Sequence, residues 1–163
     1  MHLRDYTAAD YDALIAHLIE FQDGDRLREP EYAPGVEIAH SYLHGVFAAC
    51  LIGTRSGRRP PGRVVVAEEG GAVVGYTGFH ETVLECLSDG RAVQVLDLYV
   101  APACRGRGIG GRLLAEAEAF ARERGVPRLA LVTLARNTEA RALYARCGFR
   151  EFEVSLVKDV TQG

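Results

Sequence analysis

The chain has no tryptophan, a single methionine and a single lysine, Lys158, and its other basic side chains are arginine, which reads as a compositional habit rather than chemistry. Its four cysteines, Cys50, Cys86, Cys104 and Cys147, stand far apart. There is no Cys-x-x-Cys pair and no histidine at zinc-finger spacing, so neither a disulfide framework nor a metal site is expected and the thiols are expected to be reduced. No apolar run approaches the roughly 20 residues of a membrane span. The opening MHLRDY also lacks the layout of a secretion signal, so the expectation is a cytoplasmic protein with no membrane partner. A formal net charge of −3 argues against nucleic acid, which needs a concentrated basic face.

What is present is the composition of an ordinary folded domain, 48% hydrophobic and 25% charged, which excludes a disordered or fibrous chain. A length of 163 residues fits one domain over 1–163 better than two small ones. Charge is unevenly spread. Nine acidic residues fall between Asp5 and Glu37 against only Arg26 and Arg28, whereas the later part around residues 105–112 is rich in arginine. That asymmetry suits a cationic substrate on one side and an anionic cofactor on the other, and a solvated acidic face is the plainer alternative.

Hydrophobic spacing predicts the elements in order. A short strand over 2–6 leads into Thr7 and Asp10, which resemble a capping pair, and a helix over 8–22 follows with Leu14, Ile15 and Leu18 on its apolar side. The stretch 23–35 reads as a loop or broken helix because of Gly24, Pro30 and Pro34. A second helix is expected over 36–52. The arginines of 54–63 mark a linker or a phosphate contact. Strands over 64–68 and 72–80 meet at Gly70-Gly71 as a hairpin, and 81–90 is left between strand and loop. A third helix is expected over 109–123, stopped by Gly125 and Pro127, with a strand over 128–134 beyond it. Asn137 is a favoured N-cap for a helix through Tyr144, and 149–157 alternates as a last strand. The mixture gives an α+β or α/β domain.

The chemistry concentrates in VQVLDLYVAPACRGRGIGG, residues 93–111. A strand over 93–100 is followed by a short connection and then by a glycine-rich turn that opens the third helix. Glycine has no Cβ and tolerates φ > 0, so the backbone there can come close to a ligand. The unpaired N–H groups and the positive dipole end of a helix's first turn favour a phosphate or pyrophosphate. A plain strand-to-helix connection is the alternative reading. A dinucleotide-binding domain fits poorly, because the turn does not follow the first strand and no ribose-binding acid is placed for it.

Two spans carry a family resemblance. In LDLYVAPACRGRGIGGRLL the run Arg105-Gly106-Arg107-Gly108-Ile109-Gly110 fits an Arg/Gln-x-x-Gly-x-Gly/Ala pattern. ARNTEARALYARCGF supplies an asparagine, a short helix with alanine and tyrosine, and a Gly-Phe ending. Together they resemble the GNAT superfamily of acetyl-CoA-dependent N-acetyltransferases. The resemblance implies a central mixed, mostly antiparallel sheet of about seven strands flanked by about four helices. It implies splaying between strands four and five, with acetyl-CoA in the gap. The pyrophosphate would sit on Arg105, Gly106, Arg107, Gly108, Ile109 and Gly110, with Gly111 just beyond. Backbone groups of Leu98, Tyr99 and Val100 would pair with the pantetheine arm, and Asn137 and Tyr144 would line the far side. Homodimers are common in the family.

Acetyl transfer to an amine needs a neutral nucleophile, polarisation of the carbonyl and a proton for the leaving thiolate. Tyr144 matches the family's tyrosine and is the expected acid, its alternative being a core aromatic. A backbone N–H near Leu98 would polarise the carbonyl. Asp97 is an acidic residue inside an apolar strand, where an unpaired carboxylate is costly to bury, so it is either the base or a structural hydrogen-bonding group. Strict alternation puts it on the face opposite Leu98, alongside Val95 and Tyr99. His80 and Glu81 are reserve bases. A thiol mechanism through Cys104 or Cys147 is not expected, since neither has a paired base. Asp23, Asp25, Glu29 and Glu31 with Tyr32 are expected to grip a small cationic amine. The expected function is direct transfer to a primary amine in a ternary complex. A catalytically silent acyl-CoA-binding regulatory domain, or a protein N-terminal or lysine acetyltransferase, stands as the alternative.

Overall fold

The computed structural model describes residues 1–28, 41–46, 50, 62–84, 90–156 and 158. Five strands form one sheet in the order β1 (His2–Asp5), β2 (Gly62–Glu69), β3 (Ala72–Val83), β4 (Arg91–Val100) and β5 (Leu129–Leu131). The first four pair antiparallel and β5 runs parallel to β4. The helices are α1 (Tyr11–Arg28), α2 (residues 41–46), α3 (Ile109–Glu123) and α4 (Thr138–Arg146). A parallel neighbour requires a crossover, and α3 supplies it between β4 and β5.

Helices cover both faces of the sheet, which makes three layers. On one face Ile109, Leu113, Leu114, Ala117, Phe120 and Ala121 of α3 pack on Val65, Ala67, Phe79, Val93 and Val95. On the other, Leu14 and Leu18 of α1 and Leu43 and Val46 of α2 pack with Cys50 on Val64, Val66, Tyr76 and Tyr99. The β2–β3 hairpin turns on Gly70 and Gly71, both at positive φ (60° and 83°), which a two-residue primed turn demands. Thr7 and Asp10 pair as anticipated, the Thr7 amide donating to the carboxylate at 2.8 Å, and Arg4 clamps the same carboxylate at 2.7 and 2.8 Å. No helix among the described residues is long and apolar enough to cross a membrane.

Three expectations change. Helix α1 continues through Gly24 to Arg28 instead of ending near 22, because one glycine costs a helix only about 1 kcal/mol. The strand expected over 128–134 is Leu129–Leu131. The last strand expected over 149–157 is absent from described residues 149–156, leaving Phe152, Val154 and Leu156 at 54%, 71% and 90% exposure. Alternating apolar residues form a strand only against a partner, and β5 offers three residues of edge. The described sheet therefore has five strands rather than about seven, with the mixed α+β architecture intact. Of the second helix expected over 36–52, the described residues 41–46 and 50 are helical.

One irregularity matters most. Between Gly78 and Phe79 the β3–β4 register shifts, Gly78 facing Asp97 and Phe79 facing Val95, so Leu96 has no partner. This is a β-bulge, with one extra residue on β4.

Candidate functional site

The β4–β5 ladder holds only three pairs, Val93–Leu129, Gln94–Ala130 and Val95–Leu131, whereas β4 runs on to Val100. Leu98, Tyr99 and Val100 keep their β3 partners Thr77, Tyr76 and Gly75 but have none on β5. A strand edge freed in this way can accept an extended ligand by main-chain hydrogen bonding.

Immediately after β4 comes a 3₁₀ turn, Pro102–Cys104, and then the glycine turn. Gly106 and Gly108 lie at φ +74° and +77°, a region that side chains disfavour, and Gly108 is the N-cap of α3. The amides of Ile109, Gly110 and Gly111 fall in the first turn of the helix, where intrahelical acceptors run out and the dipole is positive. The glycines do not all serve one purpose. A Cβ on Gly106 or Gly108 would meet nothing within 4 Å, so their need is conformational, whereas one on Gly110 would lie 3.0 Å from Leu143 Cδ2, so its bareness lets α4 approach α3.

Both arginines of the turn are engaged. Arg105 Nε donates to the Val100 carbonyl at 3.0 Å and its guanidinium lies 4.0 Å from Glu139. Arg107 forms a 2.6 Å ion pair with Glu69 at the end of β2, which raises the basicity of the guanidinium. Together they tie the turn to the end of β4 and to the β2–β3 hairpin.

On α4, Asn137 is the N-cap foreseen, its Oδ1 accepting from the Ala140 amide at 3.2 Å. Its oxygen is thus committed to the helix. Tyr144 packs half-buried against the α3-side core and meets Phe149 edge to face, with ring centroids 5.8 Å apart.

Asp97 is elsewhere. Val93, Val95, Leu98 and Val100 point into the α3-side core, while Leu96 and Tyr99 join the core under α1 and α2. Asp97 lies opposite Leu98 and on the side of Tyr99, as strict alternation expects, but because the bulge puts Leu96 and Asp97 on the same side, Val95 falls on the other face, which corrects that part of the placement. Its carboxyl is 5% exposed, and burial lifts it to about 7 even though the Tyr42 hydroxyl donates to Oδ1 at 3.4 Å. Thr77 Oγ1 donates to the Asp97 carbonyl at 2.8 Å and holds the backbone in place. Tyr144 and Asp97 consequently stand on opposite faces of β4 with the freed edge between them.

Two groups beside Asp97 escaped sequence reasoning. Tyr76 on β3 is 1% exposed, and its Oη, like Asp97 Oδ2, has no hydrogen-bond partner among the described residues. Cys50 lies in the same core, and burial, with Asp97 adding, pushes its thiol up to about 12. A lone tyrosine in a strand carries no sequence signal, since nothing marks it as unpartnered until the fold is known.

The reserve bases fare differently. Glu81 is paired with Arg91 at 2.9 Å, and His80 is half-buried, which lowers its basicity. Of the acidic residues before 38, Asp5 pairs with Arg63, Asp10 with Arg4, and Glu20 accepts the Tyr99 hydroxyl. Burial and that bond raise Tyr99, whose ring stacks on His17 at 4.8 Å. Asp23 lies on α1 rather than in a loop, while Glu29, Glu31 and Tyr32 lie outside the described residues, as does Cys86. Cys50, Cys104 and Cys147 are free thiols.

These features have counterparts in known proteins. The chain is 38% identical over 88 residues to YhfO, an uncharacterised N-acetyltransferase of Bacillus subtilis strain 168, a match covering 54% of this chain and 58% of that relative's length. Its fold is like that of the aminoglycoside 6'-N-acetyltransferase AAC(6')-IG from Acinetobacter haemolyticus, at 14% identity and TM-score 0.72, with both chains fully covered. It is also like a predicted acetyltransferase of Clostridium acetobutylicum solved with acetyl-CoA, at 20% identity and TM-score 0.70 over 98% of this chain and 96% of that one. The profile of the Acetyltransferase (GNAT) family matches residues 15–149. A glycine turn at a helix N-terminus, a strand edge freed beside it and that match over most of the chain agree, and the chain belongs to the GNAT acetyltransferase family.

Proposed function

We propose that residues 1–163 form one acetyltransferase domain that moves an acetyl group from acetyl-CoA to a primary amine of a small cationic molecule, by direct transfer in a ternary complex. The observation that carries this reading is β4 outrunning β5 directly before the positive-φ glycines of α3, which sets a free strand edge next to a helix N-terminus. An extended arm ending in a pyrophosphate matches both. In this reading the amides from Arg105 to Gly111 hold the pyrophosphate, the edge of Leu98, Tyr99 and Val100 holds the pantetheine arm, and Asn137 and Tyr144 border it from α4. The likeness to an aminoglycoside acetyltransferase supports a cationic amine as acceptor.

Acetyl-CoA supplies an activated thioester, so the protein's work is positioning and proton transfer. Asp97, with a carboxyl lifted to about 7, is poised to take a proton from the incoming ammonium near neutral pH. The amine nitrogen then bonds the carbonyl carbon as the carbon–sulfur bond breaks, and Tyr144 gives its phenolic proton to the departing sulfur. The second proton that nitrogen sheds on becoming an amide returns through solvent to the Tyr144 oxygen, and Asp97 releases its own proton to water. Cys50, at about 12 and buried, is no nucleophile, which favours direct transfer over a thiol intermediate.

The first test is thermal stabilisation by acetyl-CoA against NAD and ATP. Acetyl-CoA is expected to raise Tm and the other two are not; stabilisation by NAD or ATP alone would remove the assignment. Thiol release over an amine panel then separates an enzyme from a silent acyl-CoA-binding domain, with Tyr144→Phe expected to lose roughly 10²-fold or more in kcat.

A further inference from the structure

Among the described residues, two buried side-chain polar atoms lack any hydrogen-bond partner, and they belong to neighbouring groups on one face of the sheet, Tyr76 Oη and Asp97 Oδ2. The register places them diagonally across the β3–β4 pair, Gly78 opposite Asp97 and Tyr76 opposite Tyr99. Leaving one such atom unpaired costs ~1–3 kcal/mol, so two side by side call for a reason. The surrounding wall is apolar, Leu14, Leu18, Leu43, Val46, Val64 and Val66, and offers neither of them a bond. The remaining titratable groups near the pair are Tyr42 of α2, Cys50 and Tyr99.

Building on the reading of Asp97 as base, we infer that Tyr76 is the second polar contact of the acceptor nitrogen, so that Tyr76 Oη and Asp97 Oδ2 hold the amine between them and select primary amines. The reason is a count of donors. A primary amine ready to attack has two N–H groups and one lone pair. If the lone pair points at the carbonyl carbon, both N–H groups need acceptors in a site whose walls are apolar, and the two orphaned oxygens are that pair. A secondary amine has one N–H and leaves one oxygen buried and unpaired, a loss that sites built to bond a substrate N–H punish heavily. Tyr42, 40% exposed on α2, is the polar side chain that reaches Asp97 from the helical layer. Its hydroxyl lies 3.4 Å from Asp97 Oδ1 and 3.5 Å from the Leu96 carbonyl, which leaves Oδ2 for the arriving amine.

Tyr76→Phe removes a hydroxyl and nothing else. Steady-state kinetics would be measured on the full chain with the panel amine that the unsubstituted protein turns over fastest, and with its N-methyl counterpart, for the unsubstituted protein, Tyr76→Phe and Asp97→Asn. The expected result is a fall of about 10-fold in kcat/KM for the primary amine in Tyr76→Phe, with KM for acetyl-CoA within about two-fold. Preference for the primary amine over its N-methyl form should shrink by a similar factor. Tm should hold or rise, since an unpaired buried hydroxyl is gone. Unchanged amine kinetics in Tyr76→Phe beside an inactive Asp97→Asn would overturn the role of Tyr76 and leave the base standing. Full activity in Asp97→Asn, or no turnover of any amine by the unsubstituted protein, would remove the reading beneath it. A fall of several degrees in Tm for Tyr76→Phe would show the hydroxyl bonded within the protein and would also overturn the inference.

Discussion

Asp97 shows how a single carboxyl can be placed against its own preference. Burial favours the neutral form and raises the group to about 7, so the folded chain holds a proton at pH values where the unfolded chain has released it. Its stabilising contribution is therefore complete below the ordinary aspartate range and is lost as pH rises toward 7. Asp97→Asn, which cannot ionise, should gain on the unsubstituted protein by ~1.4 kcal/mol for each pH step of one across that window. Denaturant unfolding at pH 5 and pH 8 checks this: the variant's advantage should widen at pH 8, and a gap independent of pH would show that the carboxyl is not perturbed. Asp10 makes the opposite case. Arg4 and Thr7 hold its carboxyl well below the usual range, so its contribution is present above pH ~4 and disappears as acid protonates it. Destabilisation at Asp97 beside the anchoring of β1 at Asp10 is the division that the proposed role of Asp97 as base entails.

At the scale of elements, the glycine turn yields a prediction that separates conformation from contact. Gly108 meets nothing within 4 Å where a Cβ would stand, yet its φ of +77° makes alanine costly by ~1–2 kcal/mol. Gly108→Ala should weaken acetyl-CoA binding by about 10-fold in calorimetric titration, and Gly108→Asn should recover part of the loss because asparagine tolerates that region. Equal affinity in all three proteins would mean the turn does not hold the ligand. Asn137→Ala should cost the domain about 1 kcal/mol as α4 loses its cap. The turn, the hairpin at Gly70-Gly71 and helix Ile109–Glu123 were all legible in the chain, because glycine punctuation and helical spacing are local signals. The bulge at Leu96 was not. It is a relation between two strands, and without it period-two alternation, which sets Asp97 correctly opposite Leu98 and beside Tyr99, wrongly groups it with Val95. The extent of the last strand was illegible for the same reason, since the alternation of Phe152, Val154 and Leu156 says nothing of whether a neighbour exists. Tyr144 and Asn137 could be named from the family resemblance of the run that holds them, whereas Tyr76 acquired meaning only once its hydroxyl was seen to be stranded.

The whole molecule is a sheet with two differently used faces. One face, under α3 and α4, brings the glycine turn, Asn137 and Tyr144 together; the other, under α1 and α2, holds Asp97, Tyr76 and Tyr42. Donor and acceptor on this plan approach β4 from different sides and meet where its edge is free. Neither must leave before the other binds. Cys50, the thiol near Asp97, is buried and pushed up to about 12, so it is not equipped to carry the acetyl group meanwhile. The proposed direct transfer runs through a ternary complex, and initial-rate kinetics can test it. Double-reciprocal plots of rate against amine at several acetyl-CoA concentrations should intersect. Free CoA should compete with acetyl-CoA and not with the amine, and Cys104→Ala and Cys147→Ala should keep the intersecting pattern. Parallel lines, or CoA competing with the amine, would instead mean that the acetyl group rests on the protein between two half-reactions, and the two faces would then be serving one substrate at a time.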